Sequence, residues 1–155
     1  LRRAEIVDEE RDVTQKQVED IQAFAWTYAQ KTGELQQDGK PVAIGYSGGG
    51  DGKNNPVMED VAGVGPIPRG EWNIAGPPVN TAAHGPYVLS LKPASETETF
   101  GRSAFLMHGD SVKAPGTASQ GCVIMPRAVR EQVWRSGDRE LKVVAEITNP
   151  PATDP

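Results

Sequence analysis

FLMHGDSVKAPGTASQGCVIMP, residues 105–126, holds the only cysteine of the chain and one of its two histidines. The run opens apolar, stops at His108-Gly109, crosses a polar loop with Pro115 and Gly116, and turns apolar again at Val123 to Met125. Short apolar runs bounded by Gly, Pro and polar residues mark strands. One strand therefore ends at the histidine, and a second apolar segment starts at the cysteine. A thiol attacks only as the thiolate and is mostly protonated at neutral pH, so a catalytic cysteine needs a base beside it. His108 lies fourteen residues before Cys122 and at a strand end, where a sheet can aim its ring. His84, in TAAHGPY, lies in a loop and is freer. His108 is the expected base. Gly109 lets the chain turn beside the ring, and Gly121 lets a substrate approach the backbone beside the sulfur. Backbone N–H groups around Gly121 and Cys122 are the expected oxyanion hole. The competing reading makes Cys122 a small buried hydrophobe in CVIM. Iodoacetamide separates the two, since a poised thiol reacts below pH 7 far faster than a buried structural one.

Outward from this stretch the chain reads as strands and turns. Residues 126–135 form a short helix with Pro126 at its start, Val129, Val133 and Trp134 on one face, and Gly137 after its end. LKVVAEI (141–147) is a last strand, and TNPPATDP a flexible tail. Upstream, PYVLSLKP (86–93) and RSAFLMHG (102–109) are strands, and VGPIPRGEWNIAG is a rigid Pro-rich turn running into a strand through Trp72 and Ile74. SGGGDGKNNP (47–56) reads as a flexible loop or a lid over the site. GELQQDGKPVAIGY gives two short strands around Asp38-Gly39. Phe24, Trp26 and Tyr28 alternate at strand period. Residues 1–23 differ: four bases, seven acids, no Gly or Pro, and a thin stripe of Ile6, Val13, Val18 and Ile21. They read as a solvated helix or linker ahead of a domain at 24–148, with a tail at 149–155.

The whole has 155 residues, 17 Gly and 13 Pro, which favours one turn-rich, mostly β domain. A net charge of −5 with interspersed signs gives no basic stripe for nucleic acid or anionic lipid. No run has the length of a membrane span. One cysteine excludes an internal disulfide. GGGDGKNN fails as a phosphate loop: Ser47 stands where its first glycine belongs, Asn54 where its Ser/Thr belongs, and Pro56 breaks the helix that should follow. Caspase-like enzymes place the histidine much further upstream, and papain-like ones place the cysteine first. Two histidines and one cysteine, widely spaced, offer no metal cluster, and no cofactor is expected.

The run from His108-Gly109 to Ser119-Gln120-Gly121-Cys122 resembles the signature of the YkuD-type L,D-transpeptidases, a His-Gly at a strand end followed by Ser/Thr-His-Gly-Cys. GPIPRGEW (65–72) is similar to that family's Pro-rich turn. A closer resemblance is to the small L,D-transpeptidase-like effectors of bacterial type VI secretion. It is carried by Trp26, Tyr28, Thr32-Gly33, GYSG (45–48), Asn55-Pro56, GPIP (65–68), Gly101-Arg102, Phe105, His108-Gly109-Asp110 and Ser119 to Cys122, and covers roughly 24–147. It implies a curved mixed sheet or small sandwich with one short helix after the cysteine. The implied activity is cysteine-dependent cleavage of peptidoglycan tetrapeptide stems at the diaminopimelate–D-alanine bond, exchange of D-amino acids, or both. Cys122 and His108 are then catalytic, and Gly121, Ser119, Asp110 and Gly109 form the oxyanion and orienting set. Two departures stand out: Gln120 replaces a histidine, and Ile124 replaces an arginine that often follows the cysteine. Arg102, with Tyr46 and Ser47, is then expected to bind substrate. The implied setting is secretion through a type VI delivery component, action in the periplasm of a Gram-negative target, and a cognate immunity protein that plugs the cleft. The alternatives are a housekeeping crosslinking L,D-transpeptidase and a catalytically silent wall-binding or adaptor module with the same fold.

Overall fold

The computed structural model describes residues 25–147. Phe24, the helix expected over 1–23 and the tail at 149–155 fall outside them. The strands are β1 (Trp26–Ala29), β2 (Glu34–Gln37), β3 (Lys40–Ile44), β4 (Tyr46–Ser47), β5 (Gly70–Thr81), β6 (Gly85–Pro93), β7 (Phe105–His108), β8 (Val123–Ile124) and β9 (Glu140–Val144). Among the described residues one α-helix, α1 (Arg127–Arg135), is present and follows the cysteine, as the sequence predicts. All nine strands form one mixed sheet, in the order β3-β2-β1-β9-β5-β6-β7-β8-β4, with β1–β9 and β7–β8 parallel. It is a single sheet, not a sandwich.

Local chemistry explains most of these elements. Asp38 and Gly39 take φ of 54° and 78°, the positive pair a two-residue hairpin turn needs, and so β2 pairs with β3. α1 starts after Pro126, which supplies a fixed φ and needs no N–H partner, and stops before Gly137 at φ 77°. Its Val133 joins the core.

The sheet's closure comes from one residue. β3 and β4 are consecutive in sequence but lie at opposite edges of the sheet. Only Gly45 separates them, so β3–β4 is one bent strand and the sheet must curl until its two edges share it. At the bend Gly45 N–H donates to Gly33 O (2.8 Å), while a Cβ on Gly45 would sit 1.9 Å from Ile124 O. No larger residue fits the corner.

The curled sheet encloses a core that includes Trp26, Tyr28, Leu35, Trp72, Leu89, Met107 and Leu141. Burying a side chain of this kind contributes about 1.5–3 kcal/mol. Trp72 meets Phe105 edge to face at 5.0 Å. The segment expected as a flexible lid is ordered instead. Ser47 is in β4, two 3₁₀ turns follow (Gly50–Gly52 and Pro56–Met58), and Gly49 N–H and Asn54 N–H donate to Val64 O and Ser47 O. None of residues 47–56 lines the cleft described below.

Candidate active site

Strand register brings the cysteine and histidine together. β7 and β8 run parallel with Met107 opposite Val123 and His108 opposite Ile124. Phe105, Met107 and Val123 point into the core. Side chains alternate along a strand, so His108 turns away from the core; Cys122 is the bend residue just before β8. Continued one residue back from Val123, the register sets Cys122 diagonal to His108, with about 8 Å between Cα atoms expected from strand spacing. Both line one cleft of about 1060 Å³, with His84, Arg102, Ala104 and Gly121 also in its wall.

The ring of His108 is fixed. Its Nδ1 lies 2.8 Å from Gly109 O. A carbonyl only accepts, so Nδ1 carries the proton and Nε2 keeps the lone pair a base needs. The group orienting the ring is thus this backbone carbonyl. The carboxylate of Asp110 is engaged elsewhere: it accepts from Tyr46 Oη (2.5 Å), Ser111 N–H (2.7 Å) and Gly116 N–H (3.0 Å). Asp110 therefore shapes the loop between histidine and cysteine.

Both reactive groups are neutral at rest. Burial pushes the Cys122 thiol above its ordinary 9.0, although the Leu106 backbone and the Arg102 charge pull the other way. Its Sγ also makes a long contact, 3.9 Å, with Ala104 O. Burial also holds the His108 imidazole below 6.5; the Gly109 carbonyl opposes this, His84 and Arg130 add to it as like charges, and Asp110 opposes it. A thiolate–imidazolium pair is disfavoured, so fast alkylation below pH 7 no longer follows. If this thiol is to attack, it must be deprotonated as attack proceeds, and a neutral imidazole can act as a base.

The other expected site residues form a scaffold behind the cysteine. Ser119 Oγ accepts from Gly48 N–H (2.8 Å) and Gly121 N–H (3.0 Å) and donates to Cys122 O (2.6 Å). Gly121 N–H is thus occupied and is not a free oxyanion donor. Gly121 has φ 140°, and a Cβ there would sit 2.4 Å from Arg102 Nη2, so glycine is required. Ser47, fully buried, donates from Oγ to Gly121 O (3.0 Å) and accepts from Ile67 N–H (2.9 Å). Tyr46 Oη, besides donating to Asp110, accepts from Ala118 N–H at 2.9 Å. Neither Tyr46 nor Ser47 offers its hydroxyl to a substrate.

Arg102, expected to bind a substrate carboxylate, is buried, with its guanidinium on four backbone carbonyls: Glu59, Pro66 (2.9 Å), Gly65 (2.9 Å) and Gln120 (3.3 Å). It ties the GPIP turn to the cysteine loop and leaves its positive charge behind Cys122. Glu59 braces the same turn through Arg69 (2.8 Å) and Gln30 (3.0 Å).

Two residues went unread as site residues. Arg130 of α1 is buried, donating to Met125 O, Tyr87 O (2.9 Å) and Pro86 O (2.9 Å), and a Cβ on Gly109 would lie 3.2 Å from its Nη1. An arginine beside the Val129–Val133 stripe was its sequence signal. The second is His84, whose ring lies 4.5 Å from that of His108, centroid to centroid. Nothing in TAAHGPY announces that contact.

A single curled, mostly β sheet with one helix, carrying a cysteine and a histidine in one cleft, defines the class. Residues 42–148 match the Tlde1 domain model, and the chain belongs to the Tlde1-domain family, a family of type VI secretion toxins. No curated protein and no solved structure matches the chain.

Proposed function

We propose that this Tlde1 domain is a cysteine acyl-transfer enzyme that cleaves peptidoglycan tetrapeptide stems between diaminopimelate and the terminal D-alanine. The observation that carries the reading is the shared cleft: His108 ends β7, Cys122 immediately precedes the parallel β8, and both line one cleft. His108 Nε2 takes the Sγ proton while sulfur bonds to the carbonyl carbon of the stem amide. The tetrahedral intermediate collapses with cleavage of the C–N bond, and the imidazolium returns the proton to the departing D-alanine amine. With Gly121 N–H occupied, the backbone N–H of Cys122 is the candidate oxyanion donor. Water then attacks the thioester, His108 takes its proton, and the thiol is regenerated. A D-amino acid in place of water gives exchange. The buried Arg102 charge behind Cys122 favours the thiolate as it forms.

Family membership supports a role as a type VI secretion effector. In the proposed setting the protein is delivered by that machinery and acts in the periplasm of a Gram-negative target. A cognate immunity protein covers the cleft, with the loops around Asp51, Lys53 and Lys113 as its interface. Intact-protein mass spectrometry during turnover of purified disaccharide-tetrapeptide tests the chemistry. An acyl adduct that maps to Cys122 is expected. Release of D-alanine with no adduct on Cys122, even after rapid acid quench, would remove the covalent step.

A further inference from the structure

We infer that His84 is a positioning residue for His108, a second imidazole that forms one wall of the base's pocket and holds its ring toward the cysteine. The inference rests on the reading of His108 as the base.

His84 lies in the tight turn between β5 and β6. Its backbone N–H donates to Thr81 Oγ1 (2.8 Å), Thr81 pairs with Gly85, and Gly85 takes φ 83°. That turn is constrained, so its one aromatic side chain can be aimed. The ring packs against that of His108 in a tilted contact, with centroids 4.5 Å apart and planes 48° from parallel, within the range of a favourable aromatic contact. His108 is otherwise fixed at Nδ1 alone, by Gly109 O. The bond at Nδ1 fixes one edge of the ring, and the tilted contact with His84 fixes the rest. His108 is 3 % exposed although its strand lies at the cleft wall. His84 belongs to what covers it.

The charged and titratable groups acting on His108 come from several elements around it: His84 from the β5–β6 turn, Arg130 from α1 and Asp110 from the following loop; Cys122, just before β8, lines the same cleft. His84 and Arg130 oppose a proton on His108, and Asp110 favours one. Removing His84 takes away like charge and cover together, both of which favour the neutral base.

With only two histidines in the chain, ring-labelled histidine NMR reads each directly and needs no substrate. The wild-type protein, His84→Ala and His84→Phe are titrated, and kcat/KM is followed against pH with disaccharide-tetrapeptide. In His84→Ala the His108 titration moves up. The acid limb of kcat/KM moves up with it, and the plateau falls about tenfold, since slight misplacement of a catalytic group is costly. His84→Phe keeps an aromatic ring in the contact without the charge, so it recovers most of the plateau while its His108 titration still lies above wild type. An unmoved His108 titration and acid limb in His84→Ala would overturn the inference. So would equal loss of the plateau in both variants, which would make His84 a group in direct contact with substrate. Full turnover by His108→Ala would instead overturn the base assignment, while the NMR titration still reports whether His84 controls the His108 ring.

Discussion

Arg102 separates a scaffold from a substrate-binding residue. In the fold its guanidinium donates to the carbonyls of Glu59, Gly65, Pro66 and Gln120. Arg102→Met leaves all four without their cation. An orphaned buried acceptor costs about 1–3 kcal/mol, and such losses are not additive where water can reach carbonyls beside a cleft. Four acceptors orphaned together therefore cost about 3–5 kcal/mol after that discount. For a domain of this size that lowers Tm by about 10–20 °C. Arg102→Lys keeps a charge behind Cys122 but cannot span four carbonyls, so it should recover part of the loss and no more. Thermal unfolding by circular dichroism, with KM measured on folded protein, reads both. An Arg102→Met protein melting within about 2 °C of wild type with a raised KM would refute the scaffold assignment and restore Arg102 as a carboxylate ligand.

Gly45→Ala places a Cβ 1.9 Å from Ile124 O at the sheet's corner; a loss of about 2 kcal/mol or more is expected by urea denaturation, and a neutral result would mean that the sheet is not pinned there. Burial could only raise the Glu59 carboxyl, yet bonds from Arg69 and Gln30 outweigh it and hold the group below 4.5. Its stabilisation is therefore present above 4.5 and lost as pH falls through the lower folded value, so the acid slope of the urea midpoint should flatten in Glu59→Gln. Because His108 is held below 6.5 and Cys122 above 9.0, the acid limb of kcat/KM should fall below pH 6.5, and alkylation of the free protein by iodoacetamide should be slow at neutral pH and rise above pH 9. A fast neutral reaction would mean that an ion pair already exists at rest.

Local signals made many elements readable in the sequence. The Asp38-Gly39 turn, the Pro126 start and Gly137 stop of α1, and the alternation through Trp26 and Tyr28 each depend on neighbouring residues. The strand end at His108 was readable for the same reason, and so was the apolar strand that starts just after Cys122. Sheet order was not readable. β1 lies beside β9 from the far end of the domain, and the closure depends on what Gly45 touches across the fold. Arg102, Ser47 and Tyr46 stand at motif positions, but a motif does not say whether a polar side chain faces solvent or backbone. Here it is backbone, because a glycine-rich cysteine loop leaves carbonyls and amides that need partners. The His84 contact escaped notice because a hairpin turn sets it, and no periodicity reaches across that turn.

The central claim is that Cys122 is the nucleophile of a stem-peptide cleavage. Purified disaccharide-tetrapeptide is incubated with the wild-type protein and with Cys122→Ala, the folding of each is checked by its melting curve, and free D-alanine is quantified by mass spectrometry. Cys122→Ala should fold with a loss of roughly 1–2 kcal/mol and release no D-alanine above the uncatalysed background, whereas the wild-type protein should convert the tetrapeptide to tripeptide. Release by Cys122→Ala at the wild-type rate would contradict the account and leave the cysteine as a packed turn residue.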